Sequence, residues 1–208
     1  MLKKGNSGKR RSPRTANERR LALLMRIRNS KRFENFFASK HYEEFKNRAF
    51  KIFEEPEGKL VASNGPAVAK FVRGFKGSGL SVFEKLGIKI VVNLLQVPLP
   101  ANVLAENYAK RSAEEILSDK RVFVSCDPKK NISGCVDYTH VAIACARKLG
   151  FKALFYRAKG HSKALVFING KFYFWDPMIL LNYGLDCKTL NEIDANGFDL
   201  VDISKGGL

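Results

Sequence analysis

The dipeptide Asn169-Gly170 stands between two β-prone runs, residues 163–168 and Lys171–Trp175. Asn-Gly in that setting is the strongest short-range hairpin signal, because a two-residue type I′ loop needs positive φ at both central positions. The turn also fixes a register. With the loop at 169–170, Ile168 pairs with Lys171, and counting outward places Lys163 opposite Asp176. Cross-strand partners share a face, as do residues two apart on one strand. His161 and Asp176 thereby become diagonal neighbours roughly 7–8 Å apart at the backbone, within reach of two inward-leaning side chains. A carboxylate so placed can accept from one imidazole nitrogen, fix the tautomer and leave the other nitrogen for a reacting group. A one-residue slip in register would destroy the arrangement.

A reacting group lies upstream. Asn131, Ser133 and Gly134 supply candidate caps and a turn, and residues 135–149 read as a helix closed by Gly150, a residue favoured just past a helix C-terminus. Cys135 falls in the first turn. There the unpaired backbone N–H groups and the positive end of the helix dipole favour thiolate over thiol, and the same N–H groups can donate to an oxyanion. A lone cysteine is commonly a small buried hydrophobe; Cys145, beside Ala144 and Ala146 deep in the same helix, fits that description. His140 lies five residues past Cys135, about 140° further round the axis, and is poorly placed to activate it. His41, in an aromatic N-terminal helix, reads as packed or solvent-facing. Cys126, Cys135, His140 and His161 match no familiar zinc spacing, so no metal and no cofactor is expected.

Around this centre the chain divides by composition. Residues 1–32 carry twelve Lys or Arg against one acid, Glu18, and so supply most of the formal net charge of +17. Residues 1–16 hold almost nothing to bury and read as a disordered basic tail. Such a block points to nucleic acid or an anionic surface, or serves as a solvated tail. Leu21, Leu24, Met25 and Ile27 suggest one helix, and Phe33, Phe36, Phe37, Tyr42, Phe45, Phe50 and Phe53 a second whose aromatic stripe packs inward. Gly and Pro make residues 55–80 an irregular junction, which divides a helical region, 17–80, from a core, 81–208. Helical signals return over residues 101–117; the apolar segments at 178–185 and 198–203 are expected to complete the core. The apolar run at 88–99 is interrupted and falls short of the roughly 20 residues a membrane span needs. Four cysteines without C-x-x-C spacing and no recognisable secretory signal suggest a reducing, cytoplasmic setting.

The run Ser133-Gly134-Cys135-Val136-Asp137-Tyr138, then Ala146 to Phe151 as Ala-Arg-Lys-Leu-Gly-Phe, then Gly160-His161, then Phe174-Trp175-Asp176-Pro177, resembles the core of the transglutaminase-like superfamily in order and spacing. The resemblance covers roughly residues 112–178, with 112–117 similar to the short helix upstream of the cysteine. It implies an α+β, papain-like fold, with the cysteine helix packed on an antiparallel sheet, and a triad of Cys135 as nucleophile, His161 as proton carrier and Asp176 as its orienter. It further implies an enzyme acting on protein or peptide substrates, at backbone or side-chain amides, through a thioester, with hydrolysis favoured slightly over amine transfer. The alternative is a degenerate scaffold of the same fold that binds nucleic acid through its basic N-terminus. The family often has an aromatic residue soon after the histidine; here Ser162, Lys163 and Ala164 follow, and Lys163 is positioned to compete for Asp176. Tyr108, Asn107 and Gln96 are candidates for the side chain assisting the oxyanion.

Overall fold

The computed structural model describes residues 31–77, 79–127, 134–158, 160–193 and 203–204. The basic tail, the expected helix at 21–27, the caps Asn131 and Ser133, and most of the 198–203 segment lie outside them, as do the side chains of residues 31–41.

Two layers of helix enclose one antiparallel sheet. In chain order the elements are α1 (Lys31–Glu54), a 3-10 turn (Lys59–Val61), α2 (Pro66–Val72), α3 (Leu80–Asn93), β1 (Leu95–Leu99), α4 (Ala101–Asn107), α5 (Ala113–Asp119), β2 (Arg121–Ser125), α6 (Cys135–Lys148), β3 (Lys152–Ala158), β4 (His161–Ile168), β5 (Lys171–Trp175), α7 (Ile179–Tyr183), β6 (Leu190–Glu192) and β7 (Ile203–Ser204). The five-stranded sheet runs β6-β5-β4-β3-β7, and every pairing in it is antiparallel. A separate parallel pair joins β1 to β2. The architecture is mixed helix and sheet.

The pleat sorts the hydrophobic residues to two sides. Ala153, Phe155, Ala164 and Val166 pack with the buried length of α6, while Leu154, Tyr156, Leu165 and Phe172 pack with Phe45 and Ala49 of α1. The aromatic stripe of α1 does turn inward where its side chains are described: the rings of Phe50 and Phe53 lie 5.7 and 6.4 Å from that of Phe172. Twelve residues of α6 are buried, which follows from a helix covered by the sheet on one side and by α2, α3 and α5 on others. Trp175, fully buried, meets Phe83 of α3 edge-on at 4.8 Å.

Three expectations are corrected here. The stretch 55–80 is not simply irregular, since it contains α2. Pro66 begins that helix, where its missing N–H costs nothing, and the Glu114 carboxylate accepts from the N–H groups of Ala67 and Val68 at 2.7 and 3.1 Å. The expected helix over 101–117 is two helices. Ala109 adopts φ 59 between them, and Ser112 opens α5 with a reciprocal capping box to Glu115. The segment at 178–185 buries Met178 and Leu180 but leaves Leu181, Tyr183 and Leu185 exposed.

Candidate active site

The hairpin has the register that Asn169-Gly170 dictates. Ile168 pairs with Lys171 and the ladder continues to Ala164 opposite Trp175, with Asn169 and Gly170 at φ 49 and 81. The β5 strand ends there, and Asp176 is the first residue past it. Its N–H donates to the Thr189 carbonyl at 2.9 Å, and its Oδ1 accepts from the Met178 N–H at 3.1 Å. The carboxylate is thus buried and held from both sides. His161 is the first residue of β4, just after the turn at Gly160, and its Nε2 lies 2.6 Å from Asp176 Oδ2. With Nε2 engaged by the carboxylate, Nδ1 is the nitrogen left for the hydrogen bond to the thiol.

Lys163 does not take the carboxylate. Its ammonium lies 5.6 Å from the centroid of the Phe174 ring, and among the described residues His161 is the ion-pair partner of Asp176.

Cys135 opens α6 after Gly134, which holds φ 78 and ψ 12. A glycine is required at that step for two reasons. The conformation is left-handed, and a Cβ there would stand 2.4 Å from Val122 Cγ1 and 3.3 Å from the Phe123 carbonyl oxygen. Gly134→Ala is therefore expected to cost about 2–5 kcal/mol, from about 1–2 for the left-handed backbone and about 1–3 for overpacking. Urea denaturation checks this; a cost below about 0.5 kcal/mol would mean that α6 does not begin this tightly against β2.

The thiol meets His161 and Ser162. Burial opposes ionisation of Cys135, but hydrogen bonding to His161 and to the Ser162 N–H, with the imidazolium charge and the Ser162 hydroxyl, outweighs it and holds the thiol below its usual range. The Ser162 N–H can serve because β5 has ended before reaching that position. The His161 imidazole is raised to about 9, first by its bond to Asp176 and then by Cys135, against the cost of burial. These opposite shifts run in the directions that favour a thiolate beside an imidazolium. Ser162 shares the α6 side of the pleat with Ala164, whereas His161 alternates with it. The three groups consequently converge at the open end of the sheet rather than across its face.

Of the three oxyanion candidates, Tyr108 is the one seen against the thiol. Its phenol is raised by burial, then by the negative charge of Cys135, to which it also hydrogen-bonds. Asn107 turns its amide to the Val103 carbonyl at 2.8 Å, and Gln96, exposed on β1, lies beside Tyr138 one turn along α6. His140 is buried, pushed down to about 4 by burial, with Nδ1 2.9 Å from the Arg111 carbonyl oxygen. Cys145 is fully buried and its thiol is pushed well up by burial. Cys126 is exposed, and all four cysteines are unpaired. The side chain of His41 is outside the description.

Sequence reasoning passed over the support beneath the helix. Asp137 is buried, raised to about 6 by burial, and accepts from the Phe123 N–H at 3.4 Å with Arg111 Nη1 3.6 Å away. Arg111 also donates to the Arg121 carbonyl at 2.7 Å and pairs with Asp119. Together they tie the first turn of α6 to β2 and α5. Only the acid in the first helical turn was a visible signal; its partners come from elements that nothing local connects. Among the described residues no cluster of His, Cys, Asp and Glu suits a metal ion, and no helix is long and apolar enough to cross a membrane.

Comparison with known proteins adds one likeness. Among solved structures the chain is similar to a protein of Cytophaga hutchinsonii provisionally called a cysteine protease. The identity is 18% and the TM-score 0.45, over 75% of this chain and 50% of that one. The chain thus spans half the length of that protein. No protein-family model matches the chain, and no curated protein matches its sequence.

Proposed function

We propose that the chain is a cysteine-dependent enzyme with a papain-like, transglutaminase-like core in residues 81–208, acting on peptide or side-chain amides through a thioester on Cys135. The observation that carries the reading is His161 held between the Asp176 carboxylate and the Cys135 thiol. The thiolate sulfur attacks the amide carbonyl carbon. The C–N bond then breaks as His161 gives its proton to the departing nitrogen, leaving the acyl group on sulfur. Water next attacks the thioester carbon, His161 takes its proton, the C–S bond breaks, and acid and thiolate are released. An amine in place of water gives transfer. Backbone N–H groups at the start of α6 and the Tyr108 hydroxyl suit the oxyanion. Hydrolysis is the favoured outcome, because nothing in the sequence resembles the acidic calcium sites of large cross-linking enzymes. Four unpaired thiols accord with a cytoplasmic setting.

The test is acyl trapping. After brief exposure to p-nitrophenyl acetate, peptide mapping is expected to find one acetyl group on Cys135, discharged by water and, if transfer competes, by added amine. Acetylation confined to Cys126 or Cys187, with none on Cys135, contradicts the proposal.

A second reading is favoured by the charge concentrated in residues 1–32: the fold serves as a scaffold and that segment binds nucleic acid. Affinity that falls steeply with salt and is lost on deleting 1–32 supports it; binding indifferent to both removes it.

A further inference from the structure

Arg157 lies across the β3–β4 ladder from Ser162, which meets the proposed nucleophile, and has no part in the proposed chemistry. It stands directly opposite Ser162 in the β3–β4 ladder, so the two side chains leave the same face of the sheet, about 4.5–5.5 Å apart at Cβ. Ser162 is one of the residues that hydrogen-bond to the Cys135 thiol. A second route gives the same placement. The His140 ring sits 5.6 Å from that of Phe155. From there Cys135 is five residues back along α6 and Arg157 two residues on along β3, each a rise of about 7 Å. Tyr108, the phenol against the thiol, feels the Arg157 charge as well. The guanidinium therefore borders the same small space as Cys135, Ser162 and Tyr108.

Arg157 is half-buried, and among the described residues no carboxylate pairs with it: Asp176 is taken by His161, and Asp137 and Asp119 by Arg111. A half-buried guanidinium without an acid, next to a nucleophile, has five donors in a planar fork that suits a carboxylate.

We propose that Arg157 is a specificity-determining residue that binds a carboxylate of the substrate close to the acyl group attacked by Cys135. This rests on the function proposed above and adds the substrate class, a peptide or amide with a carboxylate near the bond attacked, on either the acyl or the leaving side. The carboxylate has two possible sources, an acidic side chain flanking the scissile bond or the free C-terminus of a short peptide.

The site can be probed without knowing the substrate. Iodoacetate and iodoacetamide alkylate a thiolate by the same displacement, in which an S–C bond forms and iodide leaves, and they differ by a carboxylate. In the full chain at pH 7 the iodoacetate-to-iodoacetamide rate ratio at Cys135 is expected to fall about tenfold in Arg157→Ala, the lower end of what a hydrogen bond to a charged group supplies. Arg157→Lys should recover part of it, and the ratio, which cancels any change in the ionisation of Cys135, is the readout. Cys126 gives the unsteered ratio in the same sample. An unchanged ratio in Arg157→Ala, with Cys135 still fast towards iodoacetamide, overturns the inference and leaves the thiolate-imidazolium site standing; Cys135 slow towards both reagents in the wild type overturns both. Two peptide sets then separate the sources. Acidic side chains with amidated C-termini, compared with neutral side chains and free C-termini, should show which set loses kcat/KM in Arg157→Ala. Loss in neither set also overturns the inference.

Discussion

Cys135→Ala is expected to lower kcat/KM for an activated ester or amide by on the order of 10⁴- to 10⁶-fold, the range that loss of the nucleophile costs in a hydrolase whose binding groups remain. On the proposed mechanism, what survives comes from the proposed oxyanion donors, the start of α6 and the Tyr108 hydroxyl, acting without a sulfur to trap the carbonyl. The fold should hardly notice. Cys135 is 6% exposed and flanked by backbone of the helix start, so exchanging S–H for hydrogen removes one small polarizable contact, about 1 kcal/mol of burial. Steady-state kinetics together with a denaturation curve check both halves. Turnover within about tenfold of wild type would place the nucleophile elsewhere, and a collapse of stability would make the kinetic loss uninformative about the sulfur.

Asp176→Asn is the second large effect. The carboxylamide keeps the shape of the side chain and can still meet the Met178 N–H, but it removes the charge that first raises His161. His161 should then fall from about 9 towards its ordinary value near 6.5, and with it the pairing that favours the thiolate. The rate is expected to drop by about 10²- to 10⁴-fold, the span of general acid-base catalysis. The alkaline limb of the pH profile, where His161 loses the proton it must give to the leaving nitrogen, should move from near 9 towards 6.5. Stability gives an independent reading. A histidine raised in the folded state stabilises fully below pH 6.5, and that contribution is lost as pH climbs to about 9. The wild type should therefore weaken across that window more than Asp176→Asn does. Parallel stability curves for the two proteins would show that the carboxylate does not hold an imidazolium.

The parts of this site that were legible in the sequence are those governed by local rules. Asn169-Gly170 dictates its own turn and a period-two ladder, so the pairing of Ile168 with Lys171 and of Ala164 with Trp175 follows from counting. Gly134 and Gly150 bracket α6 for equally local reasons of backbone conformation. What could not be read depends on distant partners. The α2 helix looks like a broken loop until Glu114, nearly fifty residues on, caps it. Ser162 reads as a departure from a family pattern; it is the end of β5 that frees its N–H for the thiol. The pleat also hides the convergence at the sheet's open end, because Ser162 and His161 alternate in facing and only the termination of a strand lets both approach Cys135. Arg157 carries no motif at all; its place opposite Ser162 appears only once β3 is laid against β4.

The central claim, that Cys135 and His161 form a thiolate-imidazolium pair, is tested most directly by the pH dependence of iodoacetamide alkylation, mapped residue by residue, in the wild type and in His161→Ala. Cys135 is expected to react faster than exposed Cys126 below pH 7 in the wild type. In the variant its rate at pH 6 should fall to that of an ordinary thiol, which at a pKa of about 8.5 is then less than about 1% ionised. A Cys135 that reacts no faster than exposed Cys126 below pH 7 in the wild type, or that keeps its rate in His161→Ala, would contradict the account.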